Sequence, residues 1–193
     1  MRIPTASITT SSAESACTYR LGAAVLADAR GLHQLTLARL AAGLGIRTPS
    51  LYAHIDGLDD LRARLGARGA WELAAALQLA AAGRAGGDAL RAIALAYREY
   101  AHAHPGTYAA MQIASDNEES EAAGAAVVGP IVAVLGGYAL EGEPAIHAVR
   151  AIRSALHGFV SLEREGGFGL PLNIDDSYDN LVTMLDAGLA AAR

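Results

Sequence analysis

Glycine and proline divide this chain into stretches of Ala and Leu in which apolar residues recur with the spacing of a helix. Strand signals are scarce, since no run of alternating β-branched residues occurs and no Asn-Gly or Asp-Gly turn joins two such runs. Ala and Leu are both strong helix formers. The sequence therefore predicts an all-α protein of about nine helices.

The charges of the chain are unevenly distributed. The net charge is −5, but residues 1–65 hold seven Arg against five acids, which gives +2, and residues 66–193 hold eight Arg against fifteen acids, which gives −7. A mildly basic N-terminal part and an acidic C-terminal part indicate that the two parts have different functions. The one cysteine, Cys17, excludes an intrachain disulfide framework and a cysteine-built zinc finger, and the sequence leaves open whether it has a redox role.

One uncharged stretch raises the question of a membrane. Residues 122–140 carry no charge over 19 residues, which is long enough to span a bilayer. The stretch is rich in Ala and Gly, contains Pro130 and is flanked by glutamates, and no Arg anchors either end. These features favour a buried helix of a soluble bundle, with a membrane-associated protein as the alternative.

Residues 36–55 carry the most specific pattern. Thr36 is a good N-cap, and the apolar residues that follow it at i, i+3, i+4 and i+7 are Leu37, Leu40, Ala41 and Leu44. Gly45 ends this helix after about two turns. Thr48-Pro49 then opens a second short helix, with Thr as cap and Pro at the first helical position. Two short helices joined by a three-residue turn with glycine form a helix-turn-helix pattern.

The outward side chains of the second short helix are suited to DNA. Arg47, Thr48 and Ser50 lie at its N-terminal end, where contacts to base edges usually fall. Side chains near the flanks can reach phosphates. The predicted DNA-binding residues are Thr36, Arg47, Thr48, Pro49, Ser50, Tyr52 and His54.

The ordered run from Thr36 to Ile55, followed by residues 57–61, resembles the DNA-binding signature of the tetracycline-repressor (TetR) family. The matching pieces are Thr36, Leu40-Ala41, Leu44-Gly45-Ile46, Leu51-Tyr52 and His54-Ile55. Arg47 stands where the family commonly has a small hydroxyl cap, so either Thr48 caps the helix or Arg47 adds a DNA contact. Residues 155–159 resemble, more weakly, the Trp-His-Gly motif of one C-terminal subgroup, with Leu156 in place of Trp.

The resemblance implies an organisation and a function. The Ser- and Thr-rich composition from Thr5 to Ser15 predicts a flexible arm over residues 1–17. The resemblance implies a three-helix DNA-binding domain over 18–65 and a helical ligand-binding and dimerisation bundle over 66–193. The implied protein is a cytoplasmic repressor without a cofactor. It binds a palindromic operator as a homodimer and is released by a small-molecule effector.

Candidate residues for the second domain combine bulk with a polar handle or form apolar stripes. The predicted ligand-binding residues, with a mild preference for an apolar or aromatic effector, are Trp71, Tyr97, Tyr100, Tyr108, Met111, Gln112, Tyr138 and His157. The predicted dimer interface consists of Ile152, Leu156, Phe159, Leu181, Leu185 and Leu189.

Other chemistry finds little support in the sequence. His102 and His104 are two residues apart and would point to different sides of a helix, which makes a poor metal pair. No catalytic or nucleotide-binding fingerprint occurs, so no metal site and no enzymatic activity are predicted. The alternatives are a DNA-binding regulator without an inducer, a helical enzyme and a membrane-associated protein.

Overall fold

The computed structural model describes residues 12–192, and over this range the chain is helical with no strand. Eight α-helices and one six-residue 3₁₀ helix (Thr48–Ala53) make up the expected nine, and two three-residue 3₁₀ turns (Leu32–Gln34 and Gly136–Tyr138) accompany them. The α-helices are α1 (Ser12–Arg30), α2 (Leu37–Leu44), α3 (Leu58–Ala81), α4 (Gly86–Ala103), α5 (Pro105–Ala110), α6 (Glu118–Leu135), α7 (Gly142–Arg164) and α8 (Ile174–Ala191). The prediction of an all-α fold is confirmed.

Helix α1 begins earlier than the sequence suggested. We expected residues 1–17 to form a flexible arm, but residues 12–17 already belong to α1, and Thr18 lies inside the helix. The Ser-rich composition masked the strong helix propensity of the Ala residues and the glutamate interspersed there. The rest of the expected arm, residues 1–11, lies outside the described residues.

The chain forms two compact units whose boundaries differ from the expected border between residues 65 and 66. The first unit extends from α1 to Ala70 and also contains residues 103–124, and the second contains residues 71–102 and the chain from Ala125 onward. Helix α5 thus belongs to the same unit as the helix-turn-helix segment. A composition shift along the chain cannot reveal such a grouping, because it depends on contacts between distant segments.

The core of the first unit is built from the inner faces of α1, α2, the 3₁₀ helix Thr48–Ala53 and the start of α3. Its larger buried side chains are Tyr19, Leu35, Leu40, Leu44, Leu51, Ile55, Leu61 and Leu65. The stripe predicted on α2 packs into this core, although Leu37 is only partly buried. Burying an aliphatic side chain contributes about 1.5–3 kcal/mol, so this shared core holds helices that would be too short to persist alone.

In the second unit, a cluster of charged side chains joins α4, α7 and α8. Arg98 donates hydrogen bonds to the carboxylates of Glu163, with Nε to Oε2 at 2.9 Å, and of Asp175 at 2.7 Å. Its guanidinium also lies 4.9 Å from the centroid of the Tyr178 ring. Arg98 holds the pKa of Glu163 below its usual value, and His102 Nε2, 2.9 Å from Glu163, acts in the same direction. Burial raises the pKa of Tyr178, whose hydroxyl donates to the carbonyl of Ala94.

Helix α6 is buried on one side only. With the 3₁₀ turn after it, α6 is the one helix among the described residues that is long and apolar enough to cross a membrane, and 28% of its apolar window is buried. The buried side chains in α6 are Ala123, Val127, Ile131, Val134 and Leu135. The expectation of a buried helix holds for this face alone, because the opposite face consists of exposed Ala and Gly residues and Val132.

Candidate nucleic-acid interface

The first helix of the helix-turn-helix segment begins and ends as predicted. The Thr36 hydroxyl accepts a hydrogen bond from the backbone N–H of Arg39 at 3.2 Å, which makes Thr36 the N-cap of α2. Gly45 adopts a left-handed conformation with φ of 71°, which a residue with a side chain rarely adopts. The backbone N–H of Ile46 then donates to the carbonyl of Ala41 at 3.0 Å and closes the turn.

The second helix of the motif is a 3₁₀ helix, Thr48–Ala53, which we call the recognition helix. Arg47, in extended backbone conformation, occupies the N-cap position without a capping side-chain hydrogen bond, so the expectation that Thr48 caps this helix is wrong. Residues three apart lie above one another in a 3₁₀ helix. Thr48 therefore lies on the same side as Leu51, which is 1% exposed, and the intervening side chains point outward.

Four of the seven predicted DNA-binding residues are exposed along the outer side of this helix: Arg47, Pro49, Ser50 and Tyr52. Tyr52 is 58% exposed although it is a large aromatic residue. The backbone carbonyl of Arg47 accepts a hydrogen bond from the Ser50 N–H at 2.9 Å, but its guanidinium makes no hydrogen bond or ion pair with any residue that the structure describes. Because no other residue in the described range, 12–192, binds these side chains, they are available to base edges and phosphates.

The other predicted residues are engaged within the protein. The Thr36 hydroxyl caps α2, and Thr48 is half-buried. His54 is also half-buried, and its ring stacks on the ring of Tyr19 with 5.8 Å between centroids and an interplanar angle of 27°. The ring of His54 thus fixes the C-terminal end of the recognition helix against α1, a positioning role that the sequence did not indicate.

A polar network that sequence reasoning missed supports this stack. The buried Tyr19 hydroxyl donates to the carbonyl of His54 at 3.3 Å and accepts from Arg64 Nη1 at 3.4 Å. Arg64 Nε in turn donates to Asp60 at 2.8 Å. Burial alone would raise the pKa of Asp60, but hydrogen bonds from Arg64 and from the backbone N–H of Asp56 bring this pKa below its usual value. The i, i+4 spacing of Asp60 and Arg64 was a visible signal for this pair.

The eight predicted ligand-binding residues do not fall into one unit. Tyr108, Met111 and Gln112 belong to the first unit, where Tyr108 is 1% exposed. The remaining five belong to the second unit, where Tyr97, Tyr100 and Tyr138 are buried, His157 is half-buried and Trp71 is 49% exposed. Within that unit the Tyr138 hydroxyl donates to Asp186 at 2.6 Å, and the Tyr100 hydroxyl donates to Glu72 at 3.2 Å.

The predicted dimer residues divide between core and surface. Ile152 is 0% and Leu156 is 1% exposed, so these two side chains pack inside the protomer and are not available to a second copy. Leu189 is also buried and Leu181 is half-buried, while Phe159 packs against Phe168 and Tyr178. An apolar stripe on a helix shows which face avoids water, but it does not show whether the same chain or another covers it.

An open apolar groove lies between α7 and α8 in the second unit. Its volume is about 370 Å³, and its lining includes Leu140, Pro144, His147, Ala148, Ala151, Ile152, Met184, Leu185, Gly188, Leu189 and Ala192. Three of the six predicted dimer residues contribute to this lining, and none of the eight predicted ligand-binding residues does. Met184 at the groove is 65% exposed, which is unusual for a large apolar side chain.

Comparisons with known proteins agree with this geometry. A family model described as "Tetracyclin repressor-like, C-terminal domain" matches residues 90–185. The uncharacterized HTH-type transcriptional regulator Rv0681 of Mycobacterium tuberculosis is 41% identical over 171 residues, covering 87% of this chain and 78% of that protein. The uncharacterized HTH-type transcriptional regulator YobS of Bacillus subtilis is 34% identical over 169 residues, covering 86% of this chain and 88% of that protein.

Solved structures share the fold at low sequence identity. A possible TetR family transcriptional regulator from Streptomyces coelicolor superposes with a TM-score of 0.74 at 18% identity, covering 92% of this chain and all of that one. A protein of unknown function from Rhodococcus superposes with a TM-score of 0.77 at 21% identity, covering 95% and 98%. At this identity the likeness concerns the fold alone.

Proposed function

Because the chain belongs to the tetracycline-repressor family of helix-turn-helix transcriptional regulators, whose members bind DNA and typically act as dimers with small-molecule effectors, we propose that it is a homodimeric repressor. It binds a palindromic operator and is released by an effector. Membership in this family makes the protein a regulator rather than an enzyme and implies a soluble, cytoplasmic protein.

The observation that carries the proposal is the outer side of the recognition helix. Arg47, Ser50 and Tyr52 are exposed on a helix whose inner side is locked by Leu51. A guanidinium can bind guanine bidentately, and a hydroxyl can bind several base edges or a phosphate. Since the core of the first unit fixes the helix, the backbone that carries these side chains is ordered before DNA binds, which lowers the entropic cost of binding.

Fluorescence anisotropy with labelled duplexes from beside the protein's own gene tests DNA binding, with a scrambled duplex and two salt concentrations as references. We expect tight, sequence-dependent binding that weakens with salt. Arg47→Ala should cost about 1–3 kcal/mol, or roughly 5- to 150-fold in affinity, if Arg47 reads a base. Arg84→Ala is the matched control, because Arg84 is an equally charged, exposed residue of the second unit.

Two outcomes of this assay would contradict the proposal. Equal losses in Arg47→Ala and Arg84→Ala would mean that net charge, and not the recognition helix, drives binding. If the wild-type protein, freed of small molecules by unfolding and refolding, binds no member of a random duplex pool at low salt, the DNA-binding proposal fails.

We propose that two copies of the chain associate through the exposed rim of the α7–α8 groove, and not through Ile152 and Leu156, which are buried in the protomer. Exposed Pro144, His147, Ala151, Met184 and Gly188 line the groove, and the small residues among them allow helices of a second copy to approach closely. A symmetric dimer uses the same surface on both copies. Two recognition helices about 34–36 Å apart would then read successive major grooves of a palindrome.

Sedimentation velocity tests this surface through one added charge. Met184→Glu places a carboxylate at the groove, where its desolvation opposes association, so we expect monomers and the loss of cooperative operator binding. Leu79→Glu is the matched control, because Leu79 is 78% exposed on α3 and does not line the groove. A Met184→Glu variant that remains dimeric would exclude this face as the interface.

We propose that the effector binds in the second unit. Five of the predicted ligand-binding residues belong to this unit: Trp71, Tyr97, Tyr100, Tyr138 and His157. Their aromatic rings favour an apolar or aromatic compound. An effector that changes DNA affinity must bind two conformations with different strength, and a difference on the order of 1–3 kcal/mol suffices. Trp71 is the one tryptophan of the chain, so its fluorescence can follow a screen of such compounds. The proposal predicts that a compound that shifts this signal also lowers operator affinity.

A further inference from the structure

The α7–α8 groove contains a side chain that can change its charge near neutral pH. Of the eleven described residues that line the groove, His147 is the one with a polar, ionisable side chain, and the other ten are apolar. His147 is exposed in the protomer, and its ring makes no hydrogen bond or ion pair within residues 12–192. Water therefore solvates this ring in the separate protomer.

Charged residues of α7 and of the segment before it are close to His147 in the sequence but do not line the groove. Glu143 lies about one helical turn before His147 and Arg150 about one turn after it, and both are exposed. Glu141 precedes α7 and is exposed as well. Because Glu143 favours the protonated ring and Arg150 favours the neutral ring, their effects on His147 oppose each other.

The α8 side of the groove carries no charge in the part of the chain that the structure describes. Asp186 lies in the same stretch of α8, but its carboxylate accepts a hydrogen bond from the Tyr138 hydroxyl at 2.6 Å and is not part of the lining. The other acids of α8 belong to its first two turns, whereas the lining residues belong to its second half. The described lining therefore offers no carboxylate that would neutralise a protonated His147.

Covering the groove changes the cost of a charge at His147. A symmetric dimer uses the same surface of both copies, so each dimer places two copies of His147 at its interface. An imidazolium that loses water without gaining a partner is strongly disfavoured, whereas a neutral imidazole is tolerated. Histidine side chains ordinarily titrate between pH 5 and 8, so a modest acidification decides between the two forms.

We propose that His147 makes the association of two copies pH-dependent, with a neutral ring in the dimer and a protonated ring in the separated protomers. This inference rests on the proposed α7–α8 dimer surface. Protons bind preferentially to the separated protomers, so acidification favours separation. Since each dimer that separates binds up to two protons, association weakens by up to about 100-fold for each pH unit below the titration of the ring.

Fluorescence-detected sedimentation velocity tests this inference on the full chain, with a dye on the exposed Cys17. The dimer dissociation constant is measured at about pH 7.5 and at about pH 5.5, and we expect it to be at least about tenfold larger at the lower pH. Far-UV circular dichroism checks that the helices persist at both values. Glu163 keeps its stabilising charge throughout this range, because its pKa lies below 4.5.

Three variants separate the ring of His147 from other titrating groups. His147→Gln keeps a polar side chain that cannot be charged, so the dimer should persist and its dissociation constant should differ by less than about twofold between the two pH values. His147→Arg carries a permanent charge and should weaken the dimer at both values. His33→Gln is the matched control, because His33 is an exposed histidine of the first unit that does not line the groove, and it should behave as wild type.

Several outcomes would overturn the proposal and leave the dimer surface intact. These are a wild-type dissociation constant that is equal at both pH values, one that is smaller at pH 5.5, and a pH dependence that His147→Gln retains in full. Wild-type protein that is monomeric at pH 7.5 would remove the proposed dimer together with this inference, and a dimeric Met184→Glu variant would do so by excluding the surface.

Discussion

Tyr19→Phe tests how the recognition helix is held, because it removes one oxygen atom and leaves the ring stack on His54. The lost hydroxyl makes two hydrogen bonds, to the His54 carbonyl at 3.3 Å and from Arg64 at 3.4 Å. Each such bond contributes about 0.5–1.5 kcal/mol net to stability. Both bonds are long for hydrogen bonds, so we place the contribution of each near the lower end of this energy range. We expect the free energy of unfolding to fall by about 1 kcal/mol, since two such bonds are lost and Arg64 keeps its bond to Asp60.

Urea denaturation followed by far-UV circular dichroism measures this loss, and the anisotropy assay measures its effect on DNA. Part of the loss should appear as weaker operator binding, by up to about fivefold, because a looser end of the recognition helix must be ordered on the DNA.

Tyr52→Phe is the matched control. Tyr52 is 58% exposed and its hydroxyl has no hydrogen-bond partner among the described residues, so stability should change by less than about 0.5 kcal/mol while DNA affinity falls. If Tyr19→Phe leaves the denaturation midpoint unchanged, or if both variants lose the same stability, the network does not hold the recognition helix as described.

Three further substitutions address other contacts. Thr36→Ala removes the N-cap of α2 and should cost ~1 kcal/mol in urea denaturation, with Thr36→Ser restoring it; no loss would mean that water satisfies the Arg39 N–H equally well. Leu51→Ala should cost ~2–5 kcal/mol by the same measurement, and a smaller loss would show that the recognition helix is not anchored by this side chain. Arg98 holds the pKa of Glu163 below its ordinary 4.5, so this carboxylate stabilises the fold fully above pH 4.5 and loses that effect as the pH falls through the lowered value. Glu163→Gln should therefore lower the melting temperature at pH 7, and its difference from wild type should shrink at lower pH; a constant difference would contradict the ion pair.

Features that depend on neighbouring residues could be predicted from the sequence. The cap at Thr36, the left-handed turn at Gly45 and the apolar stripe of α2 follow from local propensity and helical spacing, and each is present in the structure. The same local signals, taken in order over residues 36–55, indicated the family to which the chain belongs. The exposed side of the recognition helix was predictable in part, because Pro49, Ser50 and Tyr52 lie between the inward residues Thr48, Leu51 and His54, and Arg47 precedes them.

Other features depend on which distant segment covers a side chain. The sequence marked Ile152 and Leu156 as an apolar stripe, but only packing decided that their own chain buries them and leaves Met184 exposed. The sequence predicted that His54 contacts DNA, but in the structure its ring stacks on the ring of Tyr19, which lies 35 residues earlier in the chain. The bond between Asp28 and Thr107 joins residues 79 positions apart and brings α5 into the first unit. Local propensity carries no information about such pairings, so the sequence by itself determined the helices and the DNA-reading motif, while the tertiary structure decided which surfaces remain free and which helices pack together.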